Sequence, residues 1–126
     1  LAAMQAAMER LRELDAPGRR ILVCGDMPEC ELDFAGYREL GRLIVSVGRT
    51  DLLFACGSLA ERIVEAARAA GMSARHAVAG RTVDEILPRV GQALVPGDAV
   101  LVKGPRGLMI ERVVDALQHF PRRRAA

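Results

Sequence analysis

Apolar side chains at helical spacing alternate along this chain with short continuous apolar runs, and the alternation predicts its elements. Met4, Met8, Leu11 and Leu14 fall on one helical face, which predicts an amphipathic helix from about Leu1 to Leu14, stopped by Asp15-Ala16-Pro17-Gly18. Ile21-Leu22-Val23-Cys24, closed by Gly25, reads as a strand buried on both faces. A loop carrying Pro28 leads into a helix from about Asp33 to Val47, with Gly48 as its C-cap. Leu52 to Cys56, closed by Gly57, repeats the buried strand. Ser58 and Glu61 have the spacing of a capping box for a helix that ends at Gly71. Ala74 to Val78 predicts a weaker strand. Thr82 and Glu85 form a second capping box for a helix toward Leu94, which Pro88 and Gly91 are expected to kink or split. Ala99 to Val102 is the third strong strand, Gly104 to Gly107 a tight turn, and Leu108 to about Phe120 the last helix.

Apolar strands separated by helices predict a single-domain α/β fold, Rossmann-like, with a mostly parallel sheet and helices on both faces. The domain is expected to cover residues 1–120, with residues 121–126 a basic tail. The chain opens at Leu1 already in helical rhythm, so it reads as a fragment of a longer protein.

Composition narrows the function classes. A chain of 126 residues with 51% hydrophobic content needs neither a disulfide nor a metal to support a core. The net charge of +2 comes from Arg122, Arg123 and Arg124, without which 15 basic residues face 16 acidic ones. With 3% aromatic residues and no Trp, there is no basic, stacking surface for nucleic acid. No apolar run nears the roughly 18 residues that span a bilayer, so no membrane partner is expected. Cys24, Cys30 and Cys56 have no CxxC spacing and His76 and His119 stand far apart, which argues against a metal site. Unpaired thiols suit a cytoplasmic location. Cys24 and Cys56 sit in apolar runs and read as core residues, whereas Cys30 lies in a loop and could be reactive, although nothing nearby marks it as a nucleophile. Phe34 and Tyr37 read as half-buried helix residues, and Met4 and Met8 as core or interface.

Ligands of open parallel sheets bind beyond the carboxyl ends of the strands, which singles out three junctions. Lys103-Gly104-Pro105-Arg106-Gly107 offers two cations, two glycines and the free N–H groups of a following helix, a combination suited to a carboxylate or phosphate. The same residues also fit a plain tight turn with two solvated cations. Asp26 and Glu29, just past the first strand, could hold an ammonium group, or Asp26 could simply cap a turn. Ser58 is most simply an N-cap. Neither G-x-x-x-x-G-K-[ST] nor G-x-G-x-x-G occurs, and no complete catalytic set is present.

The two strand-end loops carry a resemblance. Ile21 to Glu29 resembles the "VLGDMLELG" segment of the Mur ligase family, in its branch that adds D-alanyl-D-alanine to UDP-N-acetylmuramoyl-tripeptide. Gly97 to Gly107 is similar to that family's "GDVVLVKGSRG", and Met109 to Val114 to its "MEKVV". Arg38 to Leu43, Gly57 to Ala60 and Ala3 to Met8 are similar to "HREVGRLA", "VGELA" and "SMRAAL", in the same order. The resemblance implies the C-terminal domain of a three-domain enzyme of peptidoglycan precursor synthesis. Such an enzyme uses ATP to activate the tripeptide carboxylate as an acyl phosphate, which the dipeptide amine then attacks. It implies that ATP and Mg2+ are bound mainly by an absent central domain, and the UDP-sugar by an absent N-terminal domain. The present domain would close over the nucleotide, present the dipeptide and be inactive alone, with no catalytic residue of its own. It further implies a substrate-binding set of Asp26, Met27, Glu29, Lys103, Gly104 and Arg106. Pro105 stands where the family has Ser, Tyr37 where it has His, and Pro28, Cys30 and Glu31 where it has apolar residues and Gly. The rival reading is a non-catalytic Rossmann-like binding module from a degenerate ligase homologue.

Overall fold

Strand β1 (Arg20–Cys24) lies inside the sheet because Ile21, Leu22, Val23 and Cys24 are all apolar and all fully buried. The computed structural model describes residues 1–15, 17–27, 30–104 and 108–119. Strand β1 pairs with β2 (Leu52–Cys56) on one side and with β4 (Ala99–Lys103) on the other, and β3 (Ala77–Gly80) pairs with β2. All pairs are parallel, and the order across the four-stranded sheet is β3-β2-β1-β4. The α/β prediction is therefore met.

Successive side chains on a strand face opposite ways, and each face has its own core. Leu22, Cys24, Leu53 and Ala55 pack beneath α1 (Ala2–Glu13), α2 (Phe34–Arg42) and α3 (Ala60–Ala69). Ile21, Val23, Leu52, Phe54 and Cys56 pack beneath α4 (Val83–Ala93) and α5 (Leu108–His119). Met4 and Met8 are core residues, with no exposed surface. At Gly41 the two helices α2 and α3 nearly touch, since a Cβ there would lie 2.2 Å from the Ala66 carbonyl oxygen. No described helix is long and apolar enough to cross a membrane.

Three local expectations need correction. The weak strand begins at Ala77, because Ala74–His76 winds into a 3-10 turn. Helix α4 is not split. Pro88 forfeits one bond, to the Asp84 carbonyl, on the exposed side, while Ile86, Val90 and Gly91 hold the other side against the sheet. The helix that begins with Asp33 as N-cap does end at Gly48, but its last stretch, Leu43–Val47, is a π-helix in which the Gly48 N–H reaches the Leu43 carbonyl at 2.9 Å. Gly48 is right-handed there (φ −74), and Arg49 takes the left-handed conformation (φ 53). At Gly71 the expectation is met: its left-handed φ of 117 lets the Met72 N–H return to the Ala67 carbonyl.

Charged side chains lock the amino end of the sheet. Arg20 donates to the Leu11, Arg12 and Leu14 carbonyls, closing the end of α1, and its own N–H donates to Asp51. The Asp98 side chain, 1% exposed, accepts from the Arg19 guanidinium at 2.8 Å and from the Arg19 and Val95 N–H groups at 3.0 Å each. Burial pushes its pKa up, but the Arg19 side-chain bonds, those two N–H groups and the Arg19 charge together hold it below the usual carboxylate range.

Removing one partner of such a pair leaves the others buried and unmet, so Asp98→Ala should cost about 2–3 kcal/mol in urea unfolding at pH 7. The native carboxyl has the lower pKa, so this stabilisation is complete above the unfolded value of about 4 and fades as pH falls through the native value. The gap between wild type and variant should therefore narrow in acid, and a gap that widens would contradict the assignment.

Candidate functional site at the carboxyl end of the sheet

From β1 the chain passes to α2 on one face, whereas from β4 it passes to α5 on the other. Adjacent strands whose exits diverge leave a crevice between them, the usual ligand position in such sheets. The Gly25 N–H donates to the Lys103 carbonyl at 3.1 Å, extending the ladder one step past the pairing of Cys24 with Lys103. Asp26 and Lys103, far apart in sequence, thus end up on neighbouring strand exits. Alternation puts Lys103 on the same face as Leu101, which packs toward α1, α2 and α3. Gly104, half-buried, follows it. Met27 is 4% exposed and packed in the core, so its main chain is what it offers a ligand. Glu29 and Arg106 lie outside the described residues, as does the turn from Pro105 to Gly107.

Asp26 already has partners. Its carboxylate accepts the Ser58 N–H at 2.9 Å, the Ser58 hydroxyl at 2.7 Å and the Leu59 N–H at 2.8 Å. It therefore caps α3 from a neighbouring strand, where the positive end of the helix favours an anion. Burial raises its pKa, and the bonds from Leu59 and Ser58 outweigh that and lower it. This corrects the expected Ser58–Glu61 capping box. The Ser58 hydroxyl donates to Asp26, and the helix starts at Ala60 with Leu59 as an N-cap that makes no side-chain bond. Thr82 does cap α4, accepting from the Glu85 N–H at 3.3 Å, while Glu85 reaches back to the Arg81 N–H rather than to Thr82. Only glycine fits position 57, where φ is 113 and a Cβ would lie 2.5 Å from the Asp26 carboxyl carbon.

Three further residues differ from expectation or went unread. Cys30 is fully buried, so no reagent reaches its thiol; burial likewise raises the pKa of Cys24 and of Cys56. Phe34 is 79% exposed, because the first position of α2 points away from the sheet. Tyr37 is half-buried, as expected, and its hydroxyl donates to the Cys30 carbonyl. A recess of about 620 Å³ at the ends of β2 and β3, lined by Gly57, Ser58, Gly80, Arg81 and Glu85, was not anticipated. The signal for it was Gly80-Arg81 before the capping Thr82, hidden by starting the strand three residues early at Ala74.

The sequence pattern of the family "Mur ligase, glutamate ligase domain" matches residues 1–106. The chain belongs to that family. A UDP-N-acetylmuramoyl-tripeptide--D-alanyl-D-alanine ligase of Bacillus subtilis (strain 168) is 30% identical over 125 residues, a match covering 94% of this chain and 26% of that protein. The chain thus spans about a quarter of the curated relative's length. The crystal structure of MurF from Acinetobacter baumannii shares the fold, with a TM-score of 0.58 at 20% identity over 94% of this chain and 24% of that one.

Gly57→Ala should cost about 2–4 kcal/mol, from the left-handed backbone and the collision with Asp26. Because part of that cost is the contact itself, the loss should be smaller when Asp26→Ala is already present. Urea unfolding of the two single variants and the double variant checks this, and strict additivity would rule the contact out.

Proposed function

We propose that this chain is the C-terminal, substrate-presenting domain of an ATP-dependent ligase that joins D-alanyl-D-alanine to UDP-N-acetylmuramoyl-tripeptide in peptidoglycan precursor synthesis. The carrying observation is convergence: the two stretches most like the family's loops, ending in Asp26 and Lys103, meet at adjacent strand exits where the sheet's connections diverge. The B. subtilis relative, whose name states that activity, supports the substrate class.

In this reading Lys103 and Arg106 hold the dipeptide carboxylate, with Gly104 allowing close approach. Asp26 and Met27 form the opposing wall, and the family resemblance assigns Glu29 to the same substrate-binding set. Asp26 has three of its acceptor positions taken by Ser58 and Leu59, so its part is to hold that wall against α3. The domain supplies position. A dipeptide amine held beside the activated tripeptide carboxyl gains effective molarity, and closure keeps out water that would hydrolyse the intermediate. The amine forms the new C–N bond as the acyl C–O bond to phosphate breaks, phosphate leaves, and the amine proton passes to solvent.

The described residues form no complete site for ATP and Mg2+. The sequence has no phosphate-loop motif, and the described residues contain no group of three or more His, Cys, Asp or Glu placed for a metal. Those ligands are assigned to the central domain of the same chain, and the UDP-sugar to its N-terminal domain, in a cytoplasmic enzyme. Alone, the domain would be inactive.

In the intact ligase, Lys103→Ala and Arg106→Ala should each raise KM for D-alanyl-D-alanine by about tenfold or more, with KM for ATP unchanged. Unaltered dipeptide kinetics would overturn the assignment. An intact protein that binds the dipeptide without forming the amide would instead favour the non-catalytic module.

A further inference from the structure

We propose that Tyr37 is a positioning residue for the bound dipeptide, acting through the loop that leaves β1. The inference rests on the functional reading above. It starts from a chain of hydrogen bonds. The Tyr37 hydroxyl donates to the Cys30 carbonyl, and the Cys30 N–H donates to the Met27 carbonyl at 2.8 Å. Met27 follows Asp26, which is fixed on the start of α3, and Gly25, which is fixed on β4. One side of the crevice is thus tied to three separate elements, and the Tyr37 phenol supplies a tie to α2.

The tie is firm at both ends. Asp33 caps α2 by accepting the Gly36 N–H at 2.8 Å, and the Tyr37 N–H bonds to the Asp33 carbonyl at 3.0 Å. At the other end Cys30 and Met27 are buried in the core beneath α1 and α2, so their peptide groups have little access to water as a substitute partner. Removing the hydroxyl should therefore let the main chain at Met27 and Cys30 reorient while the apolar packing of the ring remains. The consequence falls on ligand affinity more than on turnover, because the loop orients one wall of the crevice and touches no reacting atom.

The test is Tyr37→Phe in the intact ligase, alongside amide hydrogen exchange of the same variant of the 126-residue chain. The expected result is a KM for D-alanyl-D-alanine raised about tenfold, with kcat and KM for ATP within about twofold. Exchange should be faster at Cys30 and unchanged at Val23 in β1. Unchanged dipeptide KM in an active enzyme would overturn the proposal, as would an equal loss across all kinetic constants accompanied by faster exchange throughout β1. If the wild-type ligase does not use the dipeptide, the functional reading fails. The loop tie is then decided by exchange alone, and unaltered protection at Cys30 would overturn it.

Discussion

A sheet whose strands all run one way must return each connection across a face, and here the sense of those returns reverses at one place. From β1 the chain steps to β2 and then to β3 on the α2 and α3 side. It then crosses the other face through α4 and arrives beside β1 from the opposite edge as β4. That reversal leaves β1 with neighbours whose exits part, and the crevice follows from it. β1 can occupy this position only because Ile21 to Cys24 are apolar and buried on both faces, so the requirements of the core and of the site meet on four residues.

The two ends of the sheet are built differently. At the amino end, charged groups are used up in fixing the fold: Asp98 gathers Arg19 and two N–H groups, and Arg20 closes α1. At the carboxyl end a glycine follows each of three strands, Gly25 after β1, Gly57 after β2 and Gly104 after β4. Rigidity at one end allows openness at the other. A crevice whose strands are pinned at their starts can be lined by loops without loss of register.

Asp26 shows how closely structure and function are joined there. A carboxylate beside a ligand crevice invites assignment to the ligand, yet Ser58, Leu59 and the missing side chain of Gly57 enclose it as the cap of α3. Its negative charge is answered by the Ser58 and Leu59 donors at the start of that helix. The geometry thus gives Asp26 a structural part, as the cap of α3, in place of the ligand contact expected from its position.

Local patterns were sufficient for much of this protein. The apolar runs at Ile21 to Cys24, Leu52 to Cys56 and Ala99 to Val102 mark three strands within a residue, and Asp33, Thr82 and Gly71 mark helix ends, because burial and capping depend on near neighbours in sequence. Asp26 and Lys103 were legible as strand-end residues for the same reason. What no local pattern contains is a partner brought from elsewhere. Ser58 looks like a capping acceptor until Asp26 arrives from β1, Cys30 looks exposed until α1 and α2 cover it, and Pro88 looks like a break until the sheet holds Ile86 and Val90. The sequence by itself determined the layers, the strands and the candidate loops through short-range sterics and hydrophobic period. Only the tertiary structure decided the strand order, the pairing of the two loops and the role of each polar group, since these depend on contacts between segments that meet only in the folded chain.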